Sequence, residues 1–204
     1  TPVPGLGPGD FDLRDNNVRQ SIRSVLVEQV PLDIILAFDA SSSVEGRRLQ
    51  RLKEAGTSLL RGLRAGDRAS LVIFSHRVSR LEPLTDDLAA VARRIGDLKG
   101  WGMTSLHDGI FTALLQAHTE GRRTVLVVFS DGLDTSSWLT PSQVIDAAKR
   151  SPAVVYVVAE LADDGARSRV GQAPASKSLL TKLVEETGGR AWWVADPDQI
   201  RDAF

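Results

Sequence analysis

Three short stretches of this chain are rich in oxygen-bearing side chains of the kind that could hold a hard metal ion. Asp39-Ala40-Ser41-Ser42-Ser43 follows one apolar run, Ser130-Asp131-Gly132-Leu133-Asp134 follows another, and Gly100-Trp101-Gly102-Met103-Thr104-Ser105 leads into a helical pattern. Asp39, Ser41 and Ser43 alternate, so an extended turn can aim their oxygens to one side while Ala40 and Ser42 face away. Thr104 adds a hydroxyl and Asp131 a carboxylate. All five are hard oxygen donors, which suit Mg²⁺, Mn²⁺ or Ca²⁺ and argue against zinc or copper. Two carboxylates offset a divalent charge, while three neutral hydroxyls coordinate without quenching it. Such an ion stays electrophilic, with a position open to a further carboxylate.

Chemistry spread this far along a chain needs a fold that gathers it. Short, nearly continuous apolar runs at 32–38, 69–74, 124–129, 153–159 and 191–194 read as strands covered on both faces. Between them, Leu49, Leu52, Ala55, Leu59, Leu60 and Leu63 recur at helical spacing, as do Leu88, Val91, Ile95 and Leu98, and Leu106, Ile110, Leu114 and Ala117. Val144, Ile145 and Ala148 form a further stripe, and Leu179, Leu180, Leu183 and Val184 another. Residues 78–84 follow their strand after only His76-Arg77, too short a link for a crossover, so they are expected to pair antiparallel at a sheet edge. The pattern predicts an α/β fold: a doubly wound, mostly parallel central sheet with one antiparallel edge strand and helices on both faces. In such sheets ligands bind beyond the carboxyl ends of the strands, where all three stretches fall.

The opening TPVPGLGPGD reads as a linker; its glycines follow no strand, which removes a dinucleotide-loop reading. Residues 11–14, the Asp15-Asn16-Asn17 cluster and residues 22–29 suggest a β-hairpin. The expected division is a linker and hairpin over 1–30 and one domain over 31–204. The 204 residues are 42% hydrophobic and 25% charged, a globular composition with room for a large core. With no cysteine there is no disulfide framework, thiolate metal site or thiol nucleophile. A net charge of −1 argues against a nucleic-acid partner, and no apolar run is long enough for a membrane span. The chain opens at Thr1, which reads as a processed or excised piece.

Asp39-x-Ser41-x-Ser43 after a buried strand, Gly102-x-Thr104 and Ser130-Asp131-Gly132 together resemble the von Willebrand factor A domain and its metal-ion-dependent adhesion site. The resemblance runs from about Pro31 to the C-terminus and is most like bacterial members. It implies a Rossmann-like fold, hydroxyl ligation by Ser41, Ser43 and Thr104, and Asp39 and Asp131 binding directly or through water. It further implies Mg²⁺ (or Mn²⁺ or Ca²⁺), cell adhesion or another protein interaction, and a protein partner supplying an Asp or Glu to the metal. A secreted, periplasmic or membrane-anchored location would follow from the resemblance alone. The hairpin precedes the usual domain start, and a final helix over 198–204 would be short, so the C-terminal switch of integrin-type members is not carried over.

Plainer roles stand beside these. Ser41 to Ser43 could be a turn and N-cap for a helix over 45–63, Thr104 or Ser105 could cap the helix that follows, and Asp131 could be a turn residue. Trp101 and Trp138 are candidate partner anchors or could pack on their own loops. Asp134 is a candidate acceptor behind the site and its partner surface, or a solvated loop residue. His107 reads as a helix-face residue, and Trp192 and Trp193 as facing opposite sides of the sheet. Asp39 also resembles the nucleophile of haloacid-dehalogenase-type phosphatases, but they need an acid two places on, where this chain has Ser41. It has no G-x-S-x-G elbow and no P-loop. The expected function is therefore a non-enzymatic, metal-dependent protein-binding domain. The alternatives are a Mg²⁺-dependent phosphohydrolase-like enzyme and a structural domain whose metal site stays unoccupied.

Overall fold

The computed structural model describes residues 5–25, 30–118, 121–160 and 175–194. The chain divides into two compact units, Thr1–Val30 and Pro31–Phe204. In the first, β1 (Arg14–Asp15) pairs antiparallel with β2 (Val18–Arg19). Asn16 and Asn17, at φ 46° and 65°, supply the two left-handed residues that a tight two-residue hairpin turn requires. The hairpin therefore closes earlier than the sequence suggests. Its second strand is Val18–Arg19, residues 22–25 carry no strand, and 26–29 lie outside the described residues.

The second unit is a six-stranded sheet in the order β5-β4-β3-β6-β7-β8. Its strands are β3 (Leu32–Asp39), β4 (Arg68–Phe74), β5 (Val78–Thr85), β6 (Arg123–Ser130), β7 (Val154–Glu160) and β8 (Ala191–Val194). All neighbours run parallel except β5, which pairs antiparallel with β4 at the edge. The helices are α1 (Arg47–Arg61), α2 (Leu88–Gly96), α3 (Leu106–Leu114), α4 (Pro141–Arg150) and α5 (Ala175–Thr187). The two-residue period of β3 sorts the core into layers. Ile34, Leu36 and Phe38 face α1 and α2, while Ile35 and Ala37 face α3, α4 and α5. Phe38 stacks on Phe129 at 4.3 Å between centroids, locking the two central strands just below their carboxyl ends. Trp192 stacks on Tyr156 on the α1/α2 face, whereas the Trp193 side chain lies outside the described residues. The helix expected over 198–204 also lies outside them. Among the described residues no helix is long and apolar enough to cross a membrane.

One buried group was hidden in an apolar run. Asp33 is fully buried at the amino end of β3, the pole opposite the candidate site. Arg68 grips it with two bonds of 2.9 and 2.7 Å, and Arg122 Nε donates to the same carboxylate. Burial alone would push this carboxyl up, but the two guanidinium groups outweigh it and hold Asp33 below its ordinary value. Arg122 also donates to the carbonyls of Leu32 and Gly66, at 3.0 and 2.6 Å. The cluster thus ties together the starts of three strands. Asp33→Ala is expected to cost about 3 kcal/mol in urea unfolding, because it strands two cations at a half-closed surface. Divalent-ion binding at the far pole should not change.

Candidate metal centre

The carboxyl ends of β3 and β6 lie side by side, and their register brings the first site residues together. Phe38 pairs with Phe129, so Asp39 and Ser130 come next on adjacent strands. Ser130 Oγ donates to Asp39 Oδ2 at 2.7 Å, inside the protein. Ser41 donates to the other oxygen, Oδ1, twice: from its hydroxyl at 2.6 Å and from its backbone N–H at 3.0 Å. Ser43 Oγ lies 2.9 Å from Ser41 Oγ, which gives a row of oxygens along the loop after β3.

Backbone bonds hold this loop from two sides. Ala40 N–H donates to Phe74 O at the end of β4, and Ser42 N–H donates to Gly102 O at 2.9 Å. Trp101 N–H returns a bond to Ala40 O at 2.8 Å. Gly102 has φ +80°, and a Cβ there would run into the His76 ring, so a side chain would be strained and obstructed at once. Thr104 is 2% exposed and tied to the loop after β6: its N–H donates to Thr135 Oγ1, and its carbonyl accepts from Thr135 and Ser136. Asp39, Ser41, Ser43 and Ser130 thus meet directly through their side chains. Thr104 is held by the loop after β6, and its own loop is tied to the loop after β3 through Trp101 and Gly102.

Asp131 completes the group electrostatically. Its Oδ1 accepts from Leu133 N–H at 3.0 Å, while Oδ2 is buried and has no hydrogen-bond partner. Burial pushes the Asp39 carboxyl up to about 6; the bonds from Ser41 and Ser130 pull it back, and the charge of Asp131 adds to the rise. A buried Asp39 carboxyl pushed up by burial, and a second carboxylate with an orphaned oxygen, beside a row of hydroxyls, fit a divalent cation. Among the described residues no three His, Asp or Glu side chains gather as a metal cluster. The donor set instead relies on hydroxyls, with only two carboxylates.

The capping roles differ from expectation. Ser41 and Ser43 do not cap α1; a short 3-10 turn, Ser42–Val44, intervenes and Gly46 occupies the N-cap. Ser105 occupies the N-cap of α3 without a side-chain bond, its hydroxyl turned to Ser136 Oγ at 2.9 Å. The cap comes from the loop after β6. Asp134 Oδ1 accepts from Leu106 N–H at 2.8 Å, and Ser137 Oγ accepts from His107 N–H at 3.0 Å. Asp134 is therefore no solvated loop residue, since a helix N-terminus attracts and orients its carboxylate. His107 is buried, its Nδ1 within 2.8 Å of Leu139 O, rather than lying on an open helix face. Trp138 is 94% exposed, and Trp101, 68% exposed, meets His76 edge-on at 4.2 Å. Both tryptophans keep most of their surface in solvent.

Sequence reading quoted Ser130 within its motif without giving it a role, and passed over Arg48. Ser130 had a usable signal, since it ends an apolar run immediately before Asp131 and parallel pairing puts it level with Asp39. Arg48 had none: its place near Asp131 depends on how α1 leaves the loop.

The sequence profile described as von Willebrand factor type A domain matches residues 34–134. The minor fimbrium subunit Mfa5 of Porphyromonas gingivalis is 32% identical over 120 residues, covering 53% of this chain and 10% of that protein. The chain spans about a quarter or less of the length of the first curated relatives it matches, 26%, 14% and 10%. A von Willebrand factor type A structure from Catenulispora acidiphila superposes with a TM-score of 0.68 at 17% identity, over 85% of this chain and 41% of that one. Proximal thread matrix protein 1 of the mussel byssus, solved with zinc in its metal-ion-dependent adhesion site, gives a TM-score of 0.65 at 19% identity, over 85% and 44%. The sheet order, the placement of the loops and the profile match over 34–134 agree that this chain carries a von Willebrand factor type A domain.

Proposed function

We propose that this domain binds a protein partner through a divalent cation held at the carboxyl ends of β3 and β6. The single observation that carries this reading is Asp131 Oδ2, buried without a donor and coupled by charge to Asp39. Asp39, Ser41, Ser43, Thr104 and Asp131 would hold the ion, with Ser130 fixing the Asp39 carboxylate from behind. Oxygen-only ligation favours Mg²⁺, Mn²⁺ or Ca²⁺, although the mussel protein of the same fold holds zinc. The partner would supply an Asp or Glu to the open position of the ion. Trp101 and Trp138 would then act as exposed anchors beside it, with Met103 and Leu133 extending the apolar rim. Asp134 would serve this surface indirectly, by holding the start of α3 and with it Thr104. A relative that is a fimbrium subunit supports a role in protein interaction.

A non-enzymatic role is supported by Ser41. It stands where a phosphatase would place its acid, and its hydroxyl is committed to the Asp39 carboxylate. The test follows thermal unfolding as Mg²⁺ or Mn²⁺ is added to wild type and Asp39→Ala, then repeats partner capture with and without EDTA. Wild type alone should be stabilised, and EDTA should release the partner. A wild type indifferent to both ions would sink the metal reading. Phosphoester turnover lost in Asp39→Ala would replace binding with catalysis.

A further inference from the structure

Arg48 lies in the first turn of α1, at the edge of the metal centre. Its Nη1 donates to Ser43 O at 3.1 Å and stands 4.0 Å from Asp131 Oδ2. One nitrogen thus spans the loop that carries the serines and the carboxylate that follows β6. At 4.0 Å the contact with Asp131 supplies charge but no directed hydrogen bond, which is why Oδ2 remains orphaned. The Asp131 side chain is 2% exposed and that of Arg48 is 29%, so the pair is sealed on the carboxylate side and open on the arginine side.

A divalent ion bound to Asp131 would lie close to this guanidinium, and the two cations would compete for one carboxylate. Arginine stays protonated at every relevant pH, so it cannot escape the competition by losing its charge. Its long stem can instead carry the head outward into solvent. We propose that Arg48 is the resident counter-cation of the metal-free site, which gives up Asp131 when a divalent ion enters and so sets that ion's affinity. The inference rests on the metal reading above. It explains why the contact is an ion pair without a hydrogen bond: Asp131 keeps a compensating charge, yet no directed bond must break before a metal can be ligated.

The test measures Mn²⁺ binding by titration calorimetry at neutral pH on the whole chain, for wild type, Arg48→Gln, Arg48→Met and Arg48→Lys. Thermal unfolding of the same four proteins in EDTA accompanies it. Arg48→Gln is expected to bind Mn²⁺ about tenfold more tightly, the scale of one unit charge removed at a partly screened distance. Its metal-free melting temperature should fall, because Asp131 loses its counter-charge. Arg48→Met keeps the stem and should change in the same two directions, while Arg48→Lys should stay near wild type in both. A packing role would weaken affinity and stability together, so the opposite signs are diagnostic. If wild type binds Mn²⁺ and neither neutral variant binds it more tightly, the inference is overturned and the metal reading stands. If neither wild type nor any variant binds Mn²⁺, both fall.

Discussion

Asp131→Asn is expected to abolish the response to divalent cations while making the metal-free protein more stable at neutral pH. The substitution keeps the shape of the side chain and removes its charge. Asp131 Oδ2 has no hydrogen-bond donor, and its charge adds to the pressure on Asp39. Losing that charge relieves a like-charge repulsion with Asp39 worth about 1 kcal/mol, against which the partly exposed Arg48 contact at 4.0 Å, lost with it, counts for less. It also removes one of only two anionic ligands. Metal affinity should fall by at least about a hundredfold, since loss of a mere outer-shell partner typically costs ~10–100-fold. Calorimetric unfolding with EDTA and with millimolar Mg²⁺ reads both effects. Wild type should show a wide gap between the two conditions; the variant should show almost none, with its EDTA curve shifted upward. A variant that kept the wild-type gap would remove Asp131 from the site.

The second large effect is a pH dependence that changes sign with metal. The Asp39 carboxyl is raised from an ordinary 3.8 to about 6, chiefly by burial and further by Asp131. Between those values the folded protein holds a proton that the unfolded chain has lost. The Asp39 contribution to metal-free stability should therefore be greatest at or below about pH 4, decline as pH rises, and level off above about 6. The decline attributable to Asp39 is about 3 kcal/mol, the free energy of forcing a charge onto a carboxyl that burial keeps protonated. A divalent ion needs the ionised carboxylate, so its affinity should run the other way and weaken as pH falls below about 6. Urea unfolding across this range, with wild type compared against Asp39→Asn in EDTA, isolates the contribution. The difference curve should slope only in that window. A flat difference would mean that Asp39 ionises freely and the site carries no stored charge.

Much of the architecture was legible because it is written in local periods. The nearly all-apolar stretch ending in Phe38 could satisfy only a strand covered on both faces, and the three-residue gap over 75–77 permitted only an antiparallel neighbour. The hairpin was legible in kind but not in extent, since two positive-φ asparagines close it before residues 22–29 can take part. Asp33 was obscured by its own surroundings: one carboxylate in an apolar run does not disturb the pattern, and its arginine partners come from the start of β4 and the residue before β6. The cap of α3 was misplaced for a similar reason. Ser105 has the right chemistry and position, yet Asp134 reaches the amides from another loop and supplies the cap.

By itself the sequence determined the donor types. Two aspartates and three hydroxyls follow strands or open a helix at spacings that favour a hard cation and leave no room for thiolate chemistry. It also determined the order of strands and helices that brings those donors to one sheet edge, because side-chain type and hydrophobic period are properties of neighbouring residues. Only the tertiary structure decided which oxygens are satisfied and which are stranded. Ser130 meets Asp39 through strand register, Asp131 Oδ2 is left without a donor, and Arg48 approaches it from the start of α1. Burial and charge coupling depend on what distant segments place around a group, and no local spacing encodes them.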